Sequence, residues 1–98
     1  MSLPPRRAKR TDANQSEIVY TLRKCGVDVW IIGSPADLLC GFSGRFTTLE
    51  VKDGSKPKSK QALTDDEQAF MARCRAAGYP HYIVRTPEEA LQAVGAIH

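Results

Sequence analysis

The sequence predicts an α/β domain in which a mixed sheet is flanked by helices, in the order αβββαβα. Three observations lead there. Two capping signals, Thr64-Asp65-Asp66-Glu67 and Thr86-Pro87-Glu88-Glu89, open helical stretches in the second half of the chain. The run VDVWII is β-branched and aromatic, and two further strand-like runs follow it at short spacing. The segment HYIVR, His81 to Arg85, falls between the two late helices. A strand reached through a helical crossover pairs in parallel, whereas two strands joined by a tight turn pair antiparallel.

Each element has its own signal. Residues 1–11, MSLPPRRAKRT, hold two prolines and four basic side chains, and read as a basic flexible arm. Residues 12–98 read as one domain, because a chain of 98 residues has no room for a second core. Asp12 with Gln15 caps a first helix, on which Ile18, Leu22 and Cys25 share a face, and Gly26 ends it. The strand Val27 to Ile32 stops at Gly33-Ser34-Pro35. Asp37 to Cys40 and Arg45 to Lys52 form a hairpin through Gly41-Phe42-Ser43-Gly44. A lysine-rich loop runs from Asp53 to Gln61. The helix after it turns Phe70, Met71, Cys74 and Ala77 inward and ends at Gly78. The last helix has proline in its first turn and Leu91 and Val94 facing inward.

Composition narrows the function classes. Hydrophobic residues make up 42% and charged residues 26%, ordinary for a globular domain, and no apolar run approaches the ~20 residues of a membrane span. Nothing resembles a signal peptide, and a cytoplasmic setting is expected. Cys25, Cys40 and Cys74 are odd in number and include no CxxC pair, which argues against a disulfide framework or a zinc finger. They read as small buried hydrophobes. His81 and His98 have no partners at metal or nucleophile spacing. Trp30 reads as core or subunit contact, with stacking on a splayed base as the alternative.

The net charge of +3 is modest, but its distribution is not. Arg6, Arg7, Lys9 and Arg10 crowd one tract, and Lys52, Lys56, Lys58 and Lys60 another, so eight of fourteen basic residues fall in two short segments. Such tracts suit a polyanion, nucleic acid above all, because neutralised phosphates release counterions. The plain alternative is a solvated tail and loop.

Chemistry points to the hairpin. Glu50 and Lys52 lie two apart on a strand and share a face. If the turn centres on Ser43-Gly44, Asp37 falls directly opposite Glu50, with β-carbons ~4.5–5.5 Å apart. Like charges so placed repel, and a divalent cation is the natural compensation. Two carboxylates with waters and a carbonyl suit Mg²⁺ or Mn²⁺. Lys52 beside them would orient water or neutralise charge on a phosphate. Against this stands an ordinary solvated strand face, or a register one residue away.

The ordered set of residues resembles the PD-(D/E)XK nuclease superfamily, and within it the small stand-alone VRR-NUC nucleases of phages and prophages, which are similar in form to Holliday junction resolvases. The resemblance is carried by Asp37-Leu38-Leu39-Cys40-Gly41, Leu49-Glu50-Val51-Lys52-Asp53-Gly54, Leu63-Thr64 with Gln68, and Thr86-Pro87-Glu88-Glu89-Ala90-Leu91. The opening Asp12-Ala13-Asn14-Gln15-Ser16-Glu17 also resembles that family's first segment. One departure is Ala36, which separates Pro35 from Asp37 where the family often has proline adjacent. The resemblance implies a restriction-endonuclease-like core, with Mg²⁺ or Mn²⁺ held by Asp37, Glu50 and the Val51 carbonyl. It implies catalytic roles for Lys52 and Gln68, and a supporting metal-side role for Glu17.

The expected function is a divalent-metal-dependent DNA endonuclease, selective for branched or junction DNA and acting in the bacterial host of a phage or prophage. A homodimer joined along the VDVWII edge is expected. Arg6, Arg7, Lys9, Arg10, Lys56, Lys58 and Lys60 would contact DNA. The alternatives are a catalytically silent nucleic-acid-binding module on the same fold, and a structural partner whose acidic pair is only surface.

Overall fold

The computed structural model describes residues 13–57 and 62–97. Helix α1 (Ala13–Lys24) is followed by strands β1 (Asp28–Ile31), β2 (Leu38–Phe42) and β3 (Arg45–Val51), helix α2 (Asp65–Ala77), strand β4 (His81–Val84) and helix α3 (Pro87–Val94). The chain is thus α/β, with a mixed sheet of order β1-β2-β3-β4. β1 and β3 pair antiparallel with β2, while β4 runs parallel to β3. The proposed arm, the Asp12 cap, Lys58, Lys60 and His98 lie outside the described residues.

The hairpin sets the geometry of everything after it. Ser43 and Gly44 both have positive φ, 54° and 80°, the conformation of a two-residue turn whose twist matches the flanking strands. Its register runs from Phe42↔Arg45 to Leu38↔Leu49. One more step along this register sets Asp37 against Glu50, although β2 itself begins at Leu38.

Alternation sorts the strands into two faces. Val29, Leu38, Cys40, Thr47, Leu49 and Val84 are buried on one face. Ile18 and Leu22 of α1 and Ala90, Leu91 and Val94 of α3 complete that core. The opposite face carries Trp30, Leu39, Gly41, Phe46, Thr48, Glu50 and His81. Helix α2 lies over its β4 side, where the Phe70 ring meets His81 edge-on at 5.0 Å. Thr64 caps α2 in a full capping box with Glu67, and Thr86 caps α3 ahead of Pro87.

Two packing expectations need correction. Cys25 is exposed, because α1 ends at Lys24 and the chain turns away before a further helical position can face the core. On α2 only Cys74 is buried; Phe70 and Met71 are half-buried and Ala77 is exposed. The helix contacts mainly β4, so its outer apolar positions overhang the sheet edge. Among the described residues, no helix is long and apolar enough to cross a membrane.

Candidate active site at the end of the hairpin

Where β2 has not yet begun, β3 still has a backbone donor pointing toward it. The Val51 N–H fills that gap by donating to Asp37 Oδ2 at 2.8 Å. The Asp37 main chain is fixed as well, its carbonyl accepting the Ile32 and Gly33 N–H groups at 3.0 and 3.2 Å. In an antiparallel ladder a residue's N–H and C=O leave the strand on the same edge. The Val51 carbonyl therefore leaves β3 on the Asp37 side.

Lys52 is held by its backbone on both sides. Its N–H donates to the Val84 carbonyl at 3.0 Å, and its own carbonyl accepts Asn14 Nδ2 at 2.8 Å. Its Nζ lies 3.6 Å from Glu50 Oε2 and 3.2 Å from Glu67 Oε1. Glu50 is only 4% exposed, so this charge cluster is largely removed from water.

Glu67 is the participant that sequence reasoning missed. Its Oε1 accepts the Thr64 N–H at 2.9 Å, closing the capping box, and receives Lys52 Nζ as well. The capping spacing was visible, but a cap carboxylate normally ends its role at its own helix. Only the packing of α2 against the β4 side of the sheet brings it to Lys52. Asn14 fell within the opening segment of the resemblance but was not singled out as a site residue.

Three carboxyl groups therefore share one lysine. Burial pushes the Glu50 carboxyl up to about 8, helped by its hydrogen bond with Glu67 and by the nearby charges of Asp37 and Glu67, with Lys52 opposing. Burial also raises Asp37, against the hydrogen bonds from Val51 and Glu50. For Glu67 burial acts upward too, but hydrogen bonds with Glu50, the Thr64 N–H and Lys52 outweigh it and hold the group below its usual range. Near neutral pH the surplus negative charge is relieved by a proton on Glu50. A cation offers the other relief.

Asp37, Glu50 and the Val51 carbonyl present oxygen only, the donor chemistry of Mg²⁺ and Mn²⁺ rather than of softer metals. Among the described residues, no group of three or more His, Cys, Asp or Glu side chains is disposed as a ready-made metal cage.

The other expected site residues among those described are exposed. Gln68 is exposed, and its Nε2 donates to the Leu63 carbonyl at 3.1 Å instead of reaching the cluster. Glu17 is exposed on α1, one turn beyond Asn14. Lys56 is exposed in the loop after β3, where its N–H bonds the Asp53 carbonyl. Arg6, Arg7, Lys9, Arg10, Lys58 and Lys60 lie outside the described residues. Compared with known proteins, the chain matches no family model, no curated protein and no solved structure.

Proposed function

We propose that the chain is a divalent-metal-dependent DNA endonuclease of the PD-(D/E)XK type, hydrolysing phosphodiesters in branched or junction DNA. The observation that supports this best is the convergence of Asp37, Glu50, Glu67 and Lys52 at one end of the β2–β3 hairpin. A carboxylate fixed by a backbone N–H, a buried carboxyl at an adjacent strand position and a lysine braced at both its ends suit hydrolysis of an anionic ester. Mg²⁺ or Mn²⁺ held by Asp37, Glu50 and the Val51 carbonyl would supply Lewis acidity and a more acidic water. Lys52 supplies a preorganised positive charge for the phosphate in the transition state. Its backbone bonds to Val84 and Asn14 hold that charge in place before substrate arrives.

Lys56, Lys58, Lys60 and the basic tract Arg6, Arg7, Lys9 and Arg10 would track the phosphate backbone and position the duplex without reading its sequence. On this reading, which rests on the resemblance to phage and prophage enzymes, the activity belongs to the cytoplasm of a bacterial host. A homodimer fits a branched substrate. The half of the β1 edge beside α1 exposes Tyr20 at 63%, Ile31 at 54% and Ile32 at 39%, an apolar strip suited to an isologous contact. Sedimentation at micromolar concentration should give the mass of two chains; a single chain throughout would remove the dimer.

A second reading is a silent DNA-binding module. It is favoured by Lys52, which here is paired with two carboxyl groups. Plasmid, flap, fork and four-way junction DNA incubated with and without Mg²⁺ or Mn²⁺ separate the two. Metal-dependent cutting of branched substrates supports the nuclease. Salt-sensitive binding with no cutting under any metal supports the module instead.

A further inference from the structure

Two aromatic side chains on the active-site face of the sheet play no part in the chemistry above. Trp30 on β1 and Phe46 on β3 are 48% and 61% exposed, large fractions for rings on a sheet. They converge over Gly41 of β2, which pairs with Asp28 on one side and Phe46 on the other. A β-carbon at Gly41 would sit in ordinary contact, 3.5 Å from the Phe46 ring and 3.7 Å from the Trp30 ring, so both rings lie close over the strand. Their centroids are 6.2 Å apart and their planes inclined at 56°, an open V rather than a closed stack. The V lines a surface cavity of about 340 Å³, bordered by the polar residues Asp28, Ser43 and Arg45.

We propose that Trp30 and Phe46 form a stacking subsite for an unpaired nucleobase of single-stranded DNA a few nucleotides from the cleaved phosphate. This rests on the nuclease reading for its substrate and extends it to a preference for DNA with unpaired bases. The occupant follows from the chemistry of the cleft. A nucleobase has a flat π-face for the rings and a polar edge for Asp28 and Ser43. A packed protein partner would require apolar surface where Asp28 and Ser43 stand.

Position agrees with this. Phe46 and Glu50 lie on the same face of β3, four residues or roughly 13 Å apart. That span covers about four nucleotides at the 3.4 Å duplex rise, and fewer in a stretched single strand. Helix α2 meets this face on its β4 side, through Phe70 against His81, whereas Trp30 lies on β1, with β2 and β3 between. A junction or flap, unlike plain duplex, supplies an unpaired base at such a distance.

Trp30 is the sole tryptophan, so its emission reports the subsite directly. The full chain, in EDTA, is titrated with oligothymidylate and with a duplex of equal length. Oligothymidylate should quench the emission saturably, and the duplex should quench it far less. Phe46→Ala, at an exposed position that leaves the core intact, should weaken oligothymidylate binding five-fold or more while leaving duplex affinity unchanged. Equal quenching by both nucleic acids, or native affinity in Phe46→Ala, would overturn the subsite. So would an emission shift that depends on protein concentration without DNA, because a second copy would then cover the cleft. Metal-dependent cleavage is scored separately. Quenching without cleavage supports the subsite while ending the nuclease reading, and cleavage without quenching ends the subsite alone.

Discussion

Asp37 Oδ2 and the Val51 N–H are joined at 2.8 Å, so a carboxylate occupies the place of a strand backbone where β2 ends and β3 continues. A group that serves first as a backbone acceptor is held still before any ligand arrives. The Val51 carbonyl leaves β3 on the same side as that bond. Structure and proposed chemistry are coupled at this residue, and the coupling can be measured.

Asp37→Ala removes the acceptor and leaves the Val51 N–H without its partner, at a cost of about 1–3 kcal/mol. That outweighs the relief of a cross-strand like-charge contact, worth up to about 1 kcal/mol. Metal-free urea denaturation should show Asp37→Ala less stable than the native chain. Asp37→Asn retains an acceptor oxygen and should recover most of the stability, but with Mn²⁺ binding weakened. A more stable Asp37→Ala would mean that repulsion dominates at this pair.

Glu67→Gln separates the cap from the charge. The amide oxygen can still accept the Thr64 N–H, so helix α2 should stay capped and stability change by less than about 0.5 kcal/mol. Lys52 loses its nearer anionic partner and should become more mobile. Single-turnover cleavage should fall about tenfold with DNA affinity unchanged. Thr64→Ala, which breaks the cap from the other side, should lower stability by about 1 kcal/mol with a smaller effect on rate. If both variants alter rate in proportion to stability, Glu67 acts only as a cap.

Glu50 gives the metal-free fold a pH dependence of defined sign. Its folded carboxyl titrates near 8, against 4.5 for the ordinary group, so between those values the folded chain retains a proton that the unfolded chain has released. The stability it contributes is fully present below about pH 4.5 and is lost as pH rises through about 8, by at most about 1.4 kcal/mol per pH unit. Asp37 shifts in the same direction and Glu67 in the opposite one. The urea midpoint of the native chain in EDTA should fall between pH 5 and 9. In Glu50→Gln, which cannot ionise, the fall should be much shallower. A midpoint that rises with pH in the native chain would reverse the assignment.

Much of the fold was legible because local signals agreed with one another. The capping box at Thr64 and the Thr86 cap fixed two helix starts, and the Ser43-Gly44 turn fixed the register that brings Asp37 toward Glu50. The Glu50–Lys52 pairing followed from strand period alone. What escaped was long-range. Cys25 looked buried by spacing, but the helix ends one residue too soon. Glu67 and Gln68 are neighbours on α2, and the family resemblance favoured Gln68; the packing of the helix on the β4 side of the sheet, which no local pattern encodes, turns Glu67 to the lysine and Gln68 back to Leu63. Asn14 reaches Lys52 across 38 positions, a contact that only the packed helix creates.

The central claim is that Lys52 acts on the phosphate while Asp37 and Glu50 hold the metal. The most direct measurement pairs Mn²⁺ calorimetry with single-turnover cleavage of a four-way junction for the native chain, Lys52→Ala and Glu50→Ala. Glu50→Ala should lose metal affinity and cleavage together. Lys52→Ala should bind Mn²⁺ at least as tightly as the native chain, because a neighbouring positive charge is gone. Its cleavage should nevertheless fall by a factor of about 100 or more, the loss that a preorganised charge at a reacting phosphate implies. Native-rate cleavage by Lys52→Ala would contradict the account.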